Sequence, residues 1–453
     1  MKPRPPLVVS AAVTLALVLG TPAAPRAGST LWFVAGSLGS DLNPCNAPNL
    51  PCDTIDAAIA RAQPGDQIDV TGGGVYTSTD LFQVVHVDKS LFISGGWDAT
   101  FTQRPYFTVI DGEHSRRGIT IEPGAVLDLE QVAVVFGDAG IGGGIYVGGG
   151  LFGRRLLIAL NHALDGGGIY FNGRTGEEMF VNASALVGNL YHFRGGGLFV
   201  AGYRVIDPID NTTNEALLFN VTVSNNLSVN DSDAQDHGTP NGGGGVYLEQ
   251  GFLDAVESTF AENTIWDGHK FTQNQAGVFG DSLSGGFFED TLVADGCHVP
   301  NGVQFESLGN NVERGFTCFF VHPGDHTNIN PLIYPPSVNP GPQTTITHAL
   351  APNSPAIDNG RPTWCPGVDQ RGIARPQGAF CDIGAYERAP GDPPMGFITH
   401  PGRGFADGER CRPLDWNPTG REQPNACRVE IELLVREAIR RGFPPVTAPP
   451  APR

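Results

Sequence analysis

The feature that most constrains this chain is a phrase it repeats. "GGGIYV" (142–147) returns as "GGGIYF" (166–171), "GGGLFV" (195–200) and "GGGVYL" (243–248), with the first glycines 24, 29 and 48 residues apart. Upstream of the glycines stands an apolar run ending in asparagine: "IALN" at Asn161, "LVGN" at Asn189, "VSNN" at Asn226, and "FAEN" at Asn263 ahead of "AGVFG" (276–280). The unit is therefore an apolar strand, an Asn, a variable polar segment, glycines, and a second apolar strand. A period of 20–30 residues with short strands and no helical pattern between them predicts a solenoid.

In a parallel β-helix, coils stack about 4.8 Å apart and each strand pairs with its equivalent one coil along. Glycines are then needed at tight corners, where the backbone turns left-handed or passes too close to the next coil for a Cβ. The "IYV"-type runs are β-favouring and predict one continuous sheet. The asparagines suit left-handed turn positions and can link coil to coil through their amides. Asn182, Asn220 and Asn226 also head N-x-S/T sequons, but turn chemistry is the simpler reason for them. The open upstream end of such a stack needs a cover. "CDTIDAAIARAQPGD" (52–66) provides one: Asp53 as N-cap, Ile55, Ala58, Ile59 and Ala62 on one face, and Pro64-Gly65 as the stop. The regular coils are expected from about residue 65 to about 335.

With 453 residues, 61 Gly and 37 Pro but only 17% charged residues, the composition suits one large turn-rich domain with appendages. Lys2 and Arg4 followed by the apolar stretch 7–20 and "PRA" before Gly28 read as a signal peptide over 1–27. That stretch is short for a membrane span of about 20 residues. The eight cysteines fall into near neighbours: Cys45 with Cys52, Cys297 with Cys318, Cys365 with Cys381, Cys411 with Cys427. Eight cysteines permit many pairings, and local closure selects these four. Formal charge is −19, and loss of residues 1–27, with three basic residues and no acidic one, leaves −22. Such a chain repels nucleic acid and anionic membranes.

No H-E-x-x-H, G-x-S-x-G or phosphate loop is present. The segments between each Asn and its glycines are expected to be loops at equivalent places on successive coils. They hold Asp165, then Tyr191, His192 and Arg194, then Asp236 and His237, then Trp266, Asp267 and His269. Asp165, His192, Arg194, Asp236, His237 and Asp267 are the candidate acids, bases and calcium ligands. Tyr191, Trp266 and His269 are the candidate sugar-stacking positions. Against this stands the ordinary polarity of surface loops.

"ALAPNSPAIDNG" (349–360), "CPGVDQRGIARPQGAFCDIGAYE" (365–387), "NINPL" (328–332), the Q-T-x-x-T pattern at 343–347 and "SGGWDATFTQRP…IDG" (94–112) carry a resemblance. Over residues 45–387 the chain resembles bacterial exported right-handed parallel β-helix proteins with a choice-of-anchor Q region. The resemblance implies an all-β right-handed parallel β-helix, a capping helix at its start, a small disulfide-stapled C-terminal region and an exported location. The resulting division is a signal peptide (1–27), a capped β-helix (28–335), a choice-of-anchor Q-like region (336–388) and a Pro/Gly-rich linker with a short disulfide-closed helical tail (389–453). Asp369, Arg371, Asp382 and Glu387 read as structural, with Arg371 bridging Asp358 and Asp382.

Three functions remain: a secreted or cell-surface adhesion scaffold, favoured by the charge and the missing motifs; a polysaccharide lyase or glycoside hydrolase; or a carbohydrate-binding solenoid without turnover. The partner in each case is an extracellular polysaccharide or a cell surface, and the protein is expected to be monomeric. No motif demands a cofactor; calcium is the one ion that a lyase reading would add.

Overall fold

The computed structural model describes residues 29–172, 177–202, 215–229, 242–266, 271–272, 276–281, 284–300, 304–362, 364–390, 392 and 426–442. The signal-like segment, Asp236, His237, Asp267, His269 and Cys411 lie outside them.

Coil by coil, the chain visits three parallel sheets. One coil runs through Gly150–Arg154 and Leu157–Ala159 on a 17-stranded sheet, His162–Asp165 on a six-stranded sheet, and Ile169–Phe171 on an eight-stranded sheet. The repeated phrase forms the eight-stranded sheet in unbroken register: Ile145, Ile169, Leu198, Val246, Val278 and Cys297 are successive partners. These side chains point inward and join Leu151, Val181, Leu218 and Leu253 in one continuous core. The fold is thus a parallel β-helix.

The glycines act as expected. Gly166 sits at φ +65°; a Cβ on Gly167 would lie 2.4 Å from the Leu190 carbonyl oxygen, and one on Gly168 2.4 Å from that of Gly197. The asparagines form a buried ladder. Each Nδ2 donates to the next Oδ1, from Asn161 to Asn189 (3.0 Å), Asn226 (2.9 Å) and Asn263 (3.0 Å), and Asp295 closes the series (2.9 Å). The left-handed residue, however, is the one before each Asn: Leu160, Gly188, Asn225 and Glu262. The Asn itself is not left-handed, and its amide reaches along the axis to the next coil.

The stack starts one strand earlier than expected, because Leu31–Val34 pairs with Gln67–Thr71. The covering helix α1 (Ile55–Arg61) is capped by Thr54, whose hydroxyl accepts the Ala57 N–H at 3.2 Å, rather than by Asp53. Ile55, Ala58, Ile59 and Ala62 are buried against the core as predicted. Cys45–Cys52, Cys297–Cys318 and Cys365–Cys381 are disulfides. A second helix, α2 (Ala426–Arg441), packs Ile431, Leu434, Val435, Ala438 and Ile439 against the outer side of the long sheet. No helix among the described residues is long and apolar enough to cross a membrane.

Candidate functional site

In the first two repeats the segment between Asn and glycines is a strand of the six-stranded sheet, not a loop, and in the next two it opens as one, over Leu227–Val229 and Thr264–Trp266. Their side chains alternate, so the expected common face divides. Tyr191 is buried and donates its hydroxyl to the Gly242 carbonyl; it offers no ring face to a sugar, which corrects its assignment as a stacking residue. His192 meets His162 edge to face at 4.9 Å, and His162 Nδ1 lies 3.0 Å from Asp138. Trp266 ends the strand Thr264–Trp266, and its side chain lies outside the described residues.

Arg194 and Asp165 do come together. Arg194 pairs with both Asp165 oxygens at 3.1 Å and with Glu249, and its guanidinium lies over Phe199 (5.0 Å) and Tyr247 (5.5 Å). Burial opposes its charge, but the two carboxylates outweigh burial and hold its pKa above the usual range. Beneath it runs an aromatic ladder, Tyr146–Tyr170–Phe199–Tyr247–Phe279–His298, with interplanar angles of 3–13°. Each ring spends its faces on its neighbours, and Arg117 covers Tyr146 at 5.2 Å. The ladder reads as an internal fastening of the coils.

A different face is open. On the long sheet, inward Leu151, Val181, Leu218 and Leu253 alternate with outward, half-buried side chains. Parallel register places Asp128, Phe152, Phe180, Leu217, Asp254, Phe287 and Glu306 in one row across successive coils. Phe252 packs edge to face on Phe287 at 5.3 Å. Burial first, then the neighbouring charge of Glu215, pushes the Asp254 carboxyl up to about 8. Sequence reasoning missed this row. Its members are 20–40 residues apart and look like ordinary strand residues; the available signal was the outward i, i+2 position shared by each strand.

The C-terminal motif closes the neighbouring part of the same sheet. Gln370 accepts from Thr222 (2.6 Å), Ser224 pairs with His348 (2.8 Å), Asn220 donates to the Val368 carbonyl (3.1 Å), and Trp364 meets Phe219 edge to face at 6.0 Å. Arg371 does not bridge Asp358 and Asp382 as expected. It pairs with Asp369 (2.8 Å) and lies over Tyr386 at 3.5 Å, because the tight turn after Asp369 brings the two together. The central cation is Arg375, which the motif reading overlooked. It pairs with Glu257 of the solenoid at 2.9 Å and with Glu387 at 3.4 Å, all three side chains fully buried.

Among the described residues no three His, Cys, Asp or Glu side chains converge as a metal site. No family model matches the chain, and no curated protein does. Among solved structures it is similar to the pectate lyase Pel9A, at 13% identity and a TM-score of 0.36 over 79% of this chain and 96% of that one. It is also similar to the GH136 lacto-N-biosidase from Eubacterium ramulus, at 10% identity and a TM-score of 0.26 over 66% of this chain and 68% of that one. Likenesses this distant carry neither substrate nor chemistry to this chain, whose architecture rests on its own strand register.

Proposed function

We propose that the chain is an exported β-helix scaffold of the choice-of-anchor Q kind that binds an extracellular polysaccharide along the open part of the long sheet without cleaving it. In this reading residues 1–27 are a leader, 28–335 the monomeric solenoid, 336–388 the closing region and 389–453 the tail. The three disulfides suit an oxidising compartment. The observation that carries the binding role is the in-register row Phe152, Phe180, Leu217 and Phe287. Half-exposed phenyl groups repeated along one axis suit the C–H faces of successive sugars, and the flanking carboxyls suit their hydroxyls. The net charge of −19 favours a neutral glycan over a uronate.

A panel of neutral and acidic polysaccharides, scored for binding and for new reducing ends with and without calcium, tests the reading. Binding of a neutral glycan without cleavage is expected, with Phe180→Ala and Phe287→Ala each weakening it about tenfold. Unchanged affinity in both variants would sink the assignment to this face. The hydrolase alternative draws on Asp254, whose carboxyl is protonated at neutral pH as a general acid requires. Turnover abolished by Asp254→Asn would establish it instead.

A further inference from the structure

Where the C-terminal region meets the solenoid, carboxylates outnumber cations. Glu257, Glu289 and Asp290 come from the corners of the long sheet; Asp369, Asp382 and Glu387 come from the region itself. All six are buried. The guanidiniums among them are Arg371 on Asp369, Arg375 on Glu257 and Glu387, and Arg361 on Glu289 at 2.5 Å. Arg388 gives only its backbone N–H to Asp382 (2.6 Å), its guanidinium turning to the Leu350 carbonyl (2.8 Å). Asp358 contributes its backbone N–H to Asp382 (2.8 Å), and His322 faces Glu289 from outside.

Asp290 Oδ1 accepts the Arg361 N–H at 2.8 Å, but Oδ2 is buried without a hydrogen-bond partner; Glu257 Oε1 and Arg375 Nε are likewise unpartnered, and Glu289 Oε1 has only its ion pair with Arg361. A buried ionised carboxylate whose oxygen accepts no hydrogen bond is costly, whereas a bound proton removes the charge. We propose that residues 343–362 and 364–387 form a proton-latched clamp, held on the solenoid when the Asp290 carboxyl is protonated and loosened when it ionises, with the Glu257–Arg375 pair as its fixed anchor. Burial supports this and, with Glu289 beside it, lifts Asp290 to about 7. Burial and the Glu387 charge likewise lift Asp382 to about 7. The sign follows. A carboxyl raised in the closed state contributes fully below its free value and loses that contribution as pH climbs through about 7. The clamp is therefore tight in acid and loose above neutrality.

Hydrogen exchange on the intact protein, corrected for intrinsic rates, tests this at pH 5 and pH 8.5. Amides of 369–387 should lose about tenfold or more of their protection at the higher pH, while those of the strand Gly150–Arg154, away from the clamp, serve as reference. Asp290→Asn is well suited as a variant, since position 290 is left-handed (φ 46°) and Asn tolerates that region. It should hold the clamp closed at pH 8.5, whereas Glu257→Gln, which takes a counter-ion from the buried Arg375, should loosen it at both pH values. Equal protection at both pH values in the wild type would overturn the proposal, as would Asp290→Asn loosening the clamp further at pH 8.5.

Discussion

Asn189 shows at single-residue scale what the repeat is for. Its Oδ1 accepts from both the backbone N–H (3.1 Å) and Nδ2 (3.0 Å) of Asn161, and its own Nδ2 reaches Asn226 (2.9 Å) and the Ile158 carbonyl (2.9 Å). Removing it strands donors and acceptors in a place water does not reach, at about 1–3 kcal/mol per group. Asn189→Ala should therefore cost on the order of 3 kcal/mol in chemical denaturation; a loss below about 1 kcal/mol would mean the ladder is ornamental. The same environment excludes the sugar-acceptor role of two sequons, since Asn220 and Asn226 are both buried. The ladder was legible because an Asn before each glycine cluster has few other uses. The fate of Tyr191 was not, because the choice between inward and outward depends on the register of a strand that read as a loop.

Among the elements, α2 is the one whose docking the amphipathic pattern implied without saying where. Its apolar face joins Val338 and Ile346 of the hairpin Ser337–Asn339/Thr345–Thr347 and Phe107 in one cluster over Val109, Ala133, Val135, Leu157, Ala159, Ala185 and Val187, outward residues of the long sheet. Arg436 adds a cation over Phe136 at 5.6 Å. An apolar strip on the outside of a solenoid needs such a cover. A chain ending at residue 425 should bind a hydrophobic dye that the full chain does not, and should lose on the order of 3 kcal/mol, about one to two fully buried aliphatic side chains. Unaltered dye binding and stability would place the helix elsewhere in solution. The C-terminal motif teaches a related lesson. Its residues were readable as structural from their local pattern, yet the partner that matters most, Glu257, lies 118 residues upstream of Arg375, and no local pattern connects them.

For the molecule as a whole, the buried carboxyls set the dependence on pH. Burial lifts Asp69 to about 6, Asp254 to about 8, and Glu262, Asp290, Asp295 and Asp382 to about 7. Each stabilises fully below about pH 4 and loses that contribution as pH rises through its folded value. Other groups run the opposite way, Glu130 and His348 among the buried ones. Burial raises Glu130, but Arg155 and Arg104 outweigh it and hold it at about 2, while burial lowers His348 to about 4; both withdraw stability only as pH falls. The raised carboxyls titrate between pH 5 and 8.5 whereas Glu130 does not, and with the self-repulsion of a net charge of −19 they predict a melting temperature at pH 5 above that at pH 8.5 by about 5 °C or more. A flat or inverted profile in a calorimetric pH series would show that these carboxyls ionise within the fold.

The sequence by itself determined the stacking. Periodic glycines and asparagines are short-range signals, since each is forced by the coil directly above or below, and coils recur at a readable interval. It also determined which cysteines close Cys45–Cys52, Cys297–Cys318 and Cys365–Cys381, since those loops are local. Only the tertiary structure decided which face stays open. That depends on where the C-terminal region and α2 come down on the long sheet, and on strand register that carries Phe152, Phe180 and Phe287 into one line. Both are contacts between residues far apart in the chain, for which periodicity holds no information.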